Sequence, residues 1–262
     1  MTTVEVALQL KTADSTVSRY ESGQVLPVWA TVLSLITLYG GSADDITTAT
    51  QFWESAKDEA PPVRMPAGTP KSFRRLVNAE REASVIRAFG PIVWPGVLQL
   101  STYATALVEA GRGFSGAPDR KNGAVNVRMT RQQLLERSDL LYNAVVDEAV
   151  IRRVVGGPEV ARQQIEHVLN LMERPNVKVR VVPFGTGAYG LSNGPYVIVD
   201  HPGATPDEPG SVYLEYPAGG VWVENGEDVR RFTTMFSEVS AALDLSSTVE
   251  LLHSQLRALE GT

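Results

Sequence analysis

Residues 11–23 read KTADSTVSRYESG. Val17 and Tyr20 stand three apart, as the inward positions of a short helix do. Gly23 sits where such a helix would stop, because glycine enters the left-handed conformation without a Cβ penalty. Ser15, Thr16, Ser18 and Arg19 are the polar positions of the same segment. Just upstream, TVEVALQL (3–10) places Val6, Ala7 and Leu10 on one helical face, so two short helices meet at a turn around Lys11. Pro27 opens a third helix with the apolar stripe Trp29, Val32, Leu33 and Ile36, ending at Gly40-Gly41, and a fourth runs from about Asp44 to Lys57.

Four prolines and a glycine then fall within DEAPPVRMPAGTP (58–70), the composition of a linker. The chain divides on this reading into a small all-α domain (1–57), the linker (58–70) and a larger domain (71–262). Beyond the linker, SFRRLVNAEREASVIRAF (72–89) reads as one periodic helix, PIVWPGVLQ as a bend or short strand, STYATALVEAG as a short helix and GFSGAPDRKNG (113–123) as a polar loop. A helix over VNVRMTRQQLLERS, a buried strand at 140–146 and a helix opened by Pro158 follow. VKVRVVPF, GPYVIVD, SVYLEY and GGVWVE have strand character, and two helices close the chain. About five strands interleaved with helices, without strict βαβ order, predict an α+β domain.

Composition narrows the function classes. A 262-residue chain with 43% hydrophobic and 21% charged residues can bury a sizeable core. The absence of cysteine removes disulfides, thiolate zinc sites and cysteine nucleophiles, and fits a reducing cytoplasm. No basic stretch followed by an apolar run opens the chain, and no run approaches the roughly 18 apolar residues of a membrane span. A net charge of −6 argues against a broad electrostatic footprint on nucleic acid. Any contact with DNA would rest on a local group, and Ser15, Thr16, Ser18 and Arg19 are the residues able to hydrogen-bond base edges or phosphates.

TVEVALQLKTADSTVSRYESGQVLP resembles the core of XRE-type, lambda-repressor-like helix-turn-helix regulators, with STVSR-x-ESG as its signature. EREASVIRAFGPIVWPGVLQLSTYATAL, VVDEAVIRRVVGGPEV, NVKVRVVPFGTGA and SVYLEY are similar to the C-terminal domain of a large group of bacterial regulators, a domain of unknown function. The resemblance implies a DNA-binding transcriptional regulator, cytoplasmic and homodimeric, whose second domain senses a ligand or partner. This sequence departs from the pattern in three ways. The helix of about fifteen residues that precedes TVEVALQL in the family is missing, through a late start or real loss. The turn glycine is Lys11, a strained residue if the turn needs positive φ. Asp14 brings a carboxylate to the DNA-facing side, and residues 1–50 carry two basic against five acidic residues, a net of −3.

Other constellations are weighed against plainer readings. Gly185, Gly187 and Gly190 spell G-x-G-x-x-G, but a strand rather than a helix follows, so a strand-to-strand loop is expected. Asp147 and Glu148 end a buried strand with Arg152 one turn on, fit for acid-base work or for a helix first turn and an i,i+4 pair. In SVYLEY, Tyr213 and Glu215 share the face opposite Val212 and Leu214, toward solvent or a pocket. Trp94 and Trp222, with Tyr103, Tyr196 and Tyr213, could line an apolar pocket or fill the core. Of His167, His201 and His253, only His201 stands at a strand end, and no metal or cofactor site is expected. The basic run RMTRQQLLER (128–137) reads as a solvated helix face.

Three functions remain in play. The first is the regulator. The second is a regulator-derived protein that has lost DNA and uses a C-terminal pocket for small-molecule binding or catalysis. Its candidate pocket residues are Trp94, Asp147, Glu148, Arg152, His201, Tyr213, Glu215 and Trp222. The third is a partner-binding protein that docks another chain on the apolar face left by the missing helix.

Overall fold

The computed structural model describes residues 2–23, 25–58, 63, 65–66, 68–111, 119–191, 194–216 and 219–260. The chain forms two units, Met1–Pro62 and Val63–Thr262.

The first unit holds α1 (Thr3–Leu10), α2 (Asp14–Glu21), α3 (Trp29–Leu38) and α4 (Ala43–Asp58). Thr2 caps α1 through a reciprocal pair: Glu5 N–H donates to Thr2 Oγ1 at 3.3 Å and Thr2 N–H to Glu5 Oε2 at 2.7 Å. Lys11 ends α1 in the left-handed region at φ 51°, ψ 44°, and Thr12 N–H closes back on the Ala7 carbonyl at 3.0 Å. The expected strain at the turn is therefore present. Val6, Ala7 and Val17 are buried together with Leu10, Leu35 and Leu38 against them. On α3 it is thus Leu35 and Leu38 that meet this cluster; Trp29, Val32, Leu33 and Ile36 are half-buried. Trp29 stacks on Trp53 at 5.6 Å, and Trp53 Nε1 donates to the Pro27 carbonyl at 2.8 Å. Val4, Leu8, Val28 and Phe52 stand exposed.

The second unit is α+β. Its elements run α5 (Lys71–Glu82), β1 (Val85–Gly90), α6 (Ser101–Ala110), α7 (Asp119–Gln132), β2 (Leu141–Asp147), α8 (Glu148–Arg152), α9 (Pro158–Met172), β3 (Val177–Val182), β4 (Tyr196–Asp200), β5 (Ser211–Tyr216), β6 (Gly219–Val223), α10 (Gly226–Ala241) and α11 (Leu245–Glu260). Six strands form one mixed sheet in the order β3-β2-β1-β4-β5-β6. β1, β2 and β3 are parallel, while β4, β5 and β6 pair antiparallel. One face carries the larger core, with Ile86, Ala88, Tyr142, Ala144, Val179 and Tyr213 under residues of α5, α6, α9 and α11. The other face packs Val145, Ile198 and Val212 against Val229 and Phe236 of α10.

The expected single helix over 72–89 is corrected. α5 stops at Glu82, Ala83 is extended at ψ 145°, and Val85–Gly90 is the central strand β1. VIRAFG looks continuous with the helix because a strand covered on both faces has no alternation to betray it. Its partners decide: Ser84 N–H bonds the Asp200 carbonyl at 2.9 Å and Leu141 N–H the Ser84 carbonyl at 2.8 Å, starting β1 between β4 and β2. Of the polar loop expected at 113–123, residues 113–118 lie outside the described residues, and the remainder begins α7. Residues 59–62, 64 and 67 of the linker also lie outside them. Among the described residues, no helix is long and apolar enough to cross a membrane.

Candidate functional site

β1 is where the chain changes direction across the sheet. The connection from β1 leads to β2 and β3 on one side; after β3 the chain returns to pair β4 on the other. Open sheets of this kind leave a crevice beyond the carboxyl end of such a strand. Here that end is Gly90, followed by Pro91 to Gly96. A side chain at Gly90 would meet the Val93 carbonyl at 2.8 Å, so the loop folds tightly back over the strand end.

A cavity of about 390 Å³ opens at this place. Ala88, Val197 and Tyr213 form its floor on the sheet, Phe73 and Leu76 of α5 and Leu107 of α6 its walls, and Trp94 stands in the loop above. Arg128 and Arg131 reach it from α7, one turn apart, and Glu215 marks its rim. The volume is at the lower end of the roughly 300–1,000 Å³ typical of small-molecule sites.

The two arginines differ. Arg131 is buried and held in a two-pronged pair, Nε to Glu80 Oε2 at 2.7 Å and Nη2 to Glu80 Oε1 at 2.6 Å, with side-chain exposures of 8% and 2%. It lies 5.2 Å from the centre of the Phe73 ring. Burial opposes its charge, but Glu80 more than offsets this and raises its pKa. Arg128 is half-buried and, among the described residues, has one bond, Nη1 to its own helix at the Ala124 carbonyl, 3.2 Å away. Burial first, and then the neighbouring Arg131 charge, lower its pKa; Glu215 works the other way.

Two polar atoms of neighbouring residues lack a partner, and both are buried away from the open space of the cavity. Gln99 is 3% exposed; its Nε2 donates to the Trp94 carbonyl at 2.6 Å, and its Oε1 bonds nothing. The buried Tyr196 hydroxyl is likewise unmatched, and burial raises its pKa. Among the described lining residues there is no serine, threonine, lysine or histidine. The inventory suits binding: an apolar body, an open guanidinium and a carboxylate at the mouth.

Of the sequence-derived pocket residues, Trp94, Tyr213 and Glu215 converge on this cavity. Trp222 stands behind it, packed on Tyr213 at 5.5 Å, with Arg75 over its ring at 4.5 Å and its Nε1 bonded to the Ser72 carbonyl at 3.0 Å. Asp147, Glu148 and Arg152 form a separate cluster at the end of β2. Asp147 accepts Ala149 N–H at 2.8 Å and the Tyr189 hydroxyl at 2.6 Å. Glu148 accepts Phe184 N–H at 2.8 Å and Arg152 at 2.8 Å, and Arg152 reaches Gln255 at 2.6 Å. These bonds tie β2 to the loop after β3 and to α11. His201 is exposed beyond β4, at the end of the sheet opposite Gly90, where Asp200 pairs with Arg87. The glycine triplet forms a short 3-10 turn, Phe184–Thr186, and a loop that enters β4 without a helix. On α2, Ser15, Ser18 and Arg19 are exposed and Thr16 is half-buried.

The reading of 128–137 as a solvated face is corrected: Arg131 is buried, Arg128 lines the cavity, and only part of the run, Glu136 included, faces solvent. The signal for this lay in α5. Phe73, Leu76, Val77 and Glu80 share one side of that helix, and a carboxylate on an apolar stripe requires a buried cation somewhere in the fold.

Comparison with known proteins finds a match to the family described as Domain of unknown function (DUF5753), over residues 73–254. No curated protein and no solved structure matches the chain. Because the match takes in β1 to β6, the cavity and well over half of the chain, the protein belongs to the DUF5753 family.

Proposed function

We propose that the protein is a DNA-binding transcriptional regulator of the cytoplasm whose DUF5753 domain senses a small molecule. One observation carries the reading. α2 packs inward through Val17 on Val6 and Ala7 of α1, and this leaves Ser15, Ser18 and Arg19 in solvent along its outer side. A recognition helix needs that division between a packed and a polar side. The STVSR-x-ESG resemblance supports it, and the cavity beyond β1 supplies a place for an effector. Regulators of this type act as dimers on paired half-sites, and the exposed Val4, Leu8, Val28 and Phe52 offer apolar surface for self-association.

The test is fluorescence anisotropy on duplex DNA from the protein's own upstream region, as a salt titration, with Arg19→Ala beside it. The regulator reading expects specific binding that weakens steeply with salt and fails in the variant. Light scattering should show a dimer. Absence of binding at low salt refutes the reading.

A second reading has its own support. Asp14 opens α2 with an exposed carboxylate, and the net charge of −3 over residues 1–50 disfavours phosphate. On that reading the cavity alone carries function, and the same anisotropy experiment returns no complex.

A further inference from the structure

The cavity beyond β1 holds a guanidinium that the described residues do not complete, and it prescribes a ligand. This step rests on the proposed sensing role of the DUF5753 domain and gives it a chemical class.

Arg128 carries five N–H donors, of which the described residues engage one, at the Ala124 carbonyl. No carboxylate among the described residues reaches it within an ion-pair distance; Glu80, on the same side, is committed to Arg131 by two bonds. Keeping a half-buried guanidinium beside a second one is costly unless an anion joins them. The preference for an anion is thus built in, and it is for a single charge. Glu80 already balances the charge of Arg131, so one guanidinium charge is open, and Glu215 at the rim repels a second negative charge.

Phe73, Leu76, Trp94, Val197 and Tyr213 leave the rest of the space apolar. Gln99 adds no open group to it: its Nε2 is fixed by the Trp94 carbonyl at 2.6 Å, and its Oε1 is buried away from the open space.

We infer that the cavity binds a small monocarboxylate with an apolar body, its carboxylate on Arg128 and its body against Phe73, Leu76, Trp94 and Tyr213.

Two probes test this inference on the full chain, by ligand-observed NMR and calorimetric titration. Indole-3-acetate has the acid and the ring, and indole-3-acetamide lacks the charge. The acid should bind about 10- to 100-fold tighter than the amide, the worth of a charge-assisted fork. Arg128→Met should erase that preference while leaving the amide's affinity in place. The acid-amide comparison on the unaltered protein decides the matter even where a variant loses its fold.

Equal binding of acid and amide overturns the anion assignment while leaving a ligand pocket. Inorganic phosphate displacing the acid overturns the single-charge assignment. No binding of any probe at millimolar concentration overturns the inference as a whole. The regulator reading is judged apart, by the DNA titration, which none of these outcomes touches.

Discussion

Replacing Glu80 with glutamine removes the counter-charge from Arg131 and keeps the shape. The guanidinium stays on α7 with 8% of its side chain exposed and both carboxylate bonds lost. Breaking a buried pair by deleting one partner costs about 3–5 kcal/mol, against about 0–1 kcal/mol for an exposed pair. The second unit, Val63–Thr262, spans 200 residues. For that size each kcal/mol moves the melting point about 2–4 °C, so the variant should melt roughly 6–20 °C lower. Arg131→Lys should recover little, because an ammonium cannot make both the 2.7 and 2.6 Å contacts of the planar fork. The informative variant is the double replacement Glu80→Leu/Arg131→Met. It removes both charges and fills the space with apolar atoms, so it should lose less than the two single variants summed, with a coupling of about 2–3 kcal/mol. Urea unfolding followed by circular dichroism, on the unaltered protein, Glu80→Leu, Arg131→Met and the double variant, measures all four corners of this cycle. Single losses below about 1 kcal/mol, or strict additivity, would refute the reasoning, since the pair would then behave as a solvated one.

Three smaller tests address other parts of the fold. Lys11→Gly should stabilise the first unit by about 1 kcal/mol, because Lys11 alone among the described non-glycine residues has positive φ, and a lower urea midpoint would contradict this. Gly220→Ala would drive a methyl into the Tyr213 ring on the cavity floor, with an expected loss of about 1–3 kcal/mol and weaker binding of indole-3-acetate; an unchanged melting point argues against that packing. Burial pushes the Tyr103 hydroxyl up to about 12 and raises Tyr142 and Tyr196 as well. A raised folded pKa contributes stability in full below the ordinary tyrosine value of 10.0, lost as pH climbs through the folded value. The urea midpoint should therefore fall between pH 10.0 and about 12 as absorbance at the tyrosinate band rises, and a flat midpoint across that window would count against it.

Much of the architecture was legible where periodicity is clean. TVEVALQL gave its buried Val6 and Ala7, PEVARQQIEHVLNLM its helix from Pro158, and five of six strands stood out by β-branched runs. The site was less legible. Trp94, Tyr213 and Glu215 could be named as pocket residues from aromatic character and strand alternation. Asp147 and Glu148, named with them, turned out to have their oxygens occupied by Ala149, Tyr189, Phe184 and Arg152. Sequence shows which residues carry chemistry; it does not show which lone pairs the backbone has already taken.

The missed strand and the missed arginines have one cause. With 72–89 taken as a helix, Gly90 to Gly96 is merely a bend after it, and nothing marks a crevice there. Once Val85–Gly90 becomes the central strand, the same glycine and prolines lie at its carboxyl end, between the parallel and antiparallel halves of the sheet. The apolar stripe of α5 then lies over that sheet, and Glu80 on it demands a cation from another element. Arg131 answers that demand through a sequence separation of 51 residues, beyond any local pattern. Arg128, one turn earlier on α7, is thereby carried to the same cavity, with no carboxylate among the described residues left for it. The ion pair that stabilises the fold is thus also what positions the open guanidinium, so loss of Glu80 should weaken binding of indole-3-acetate as well as lower the melting point.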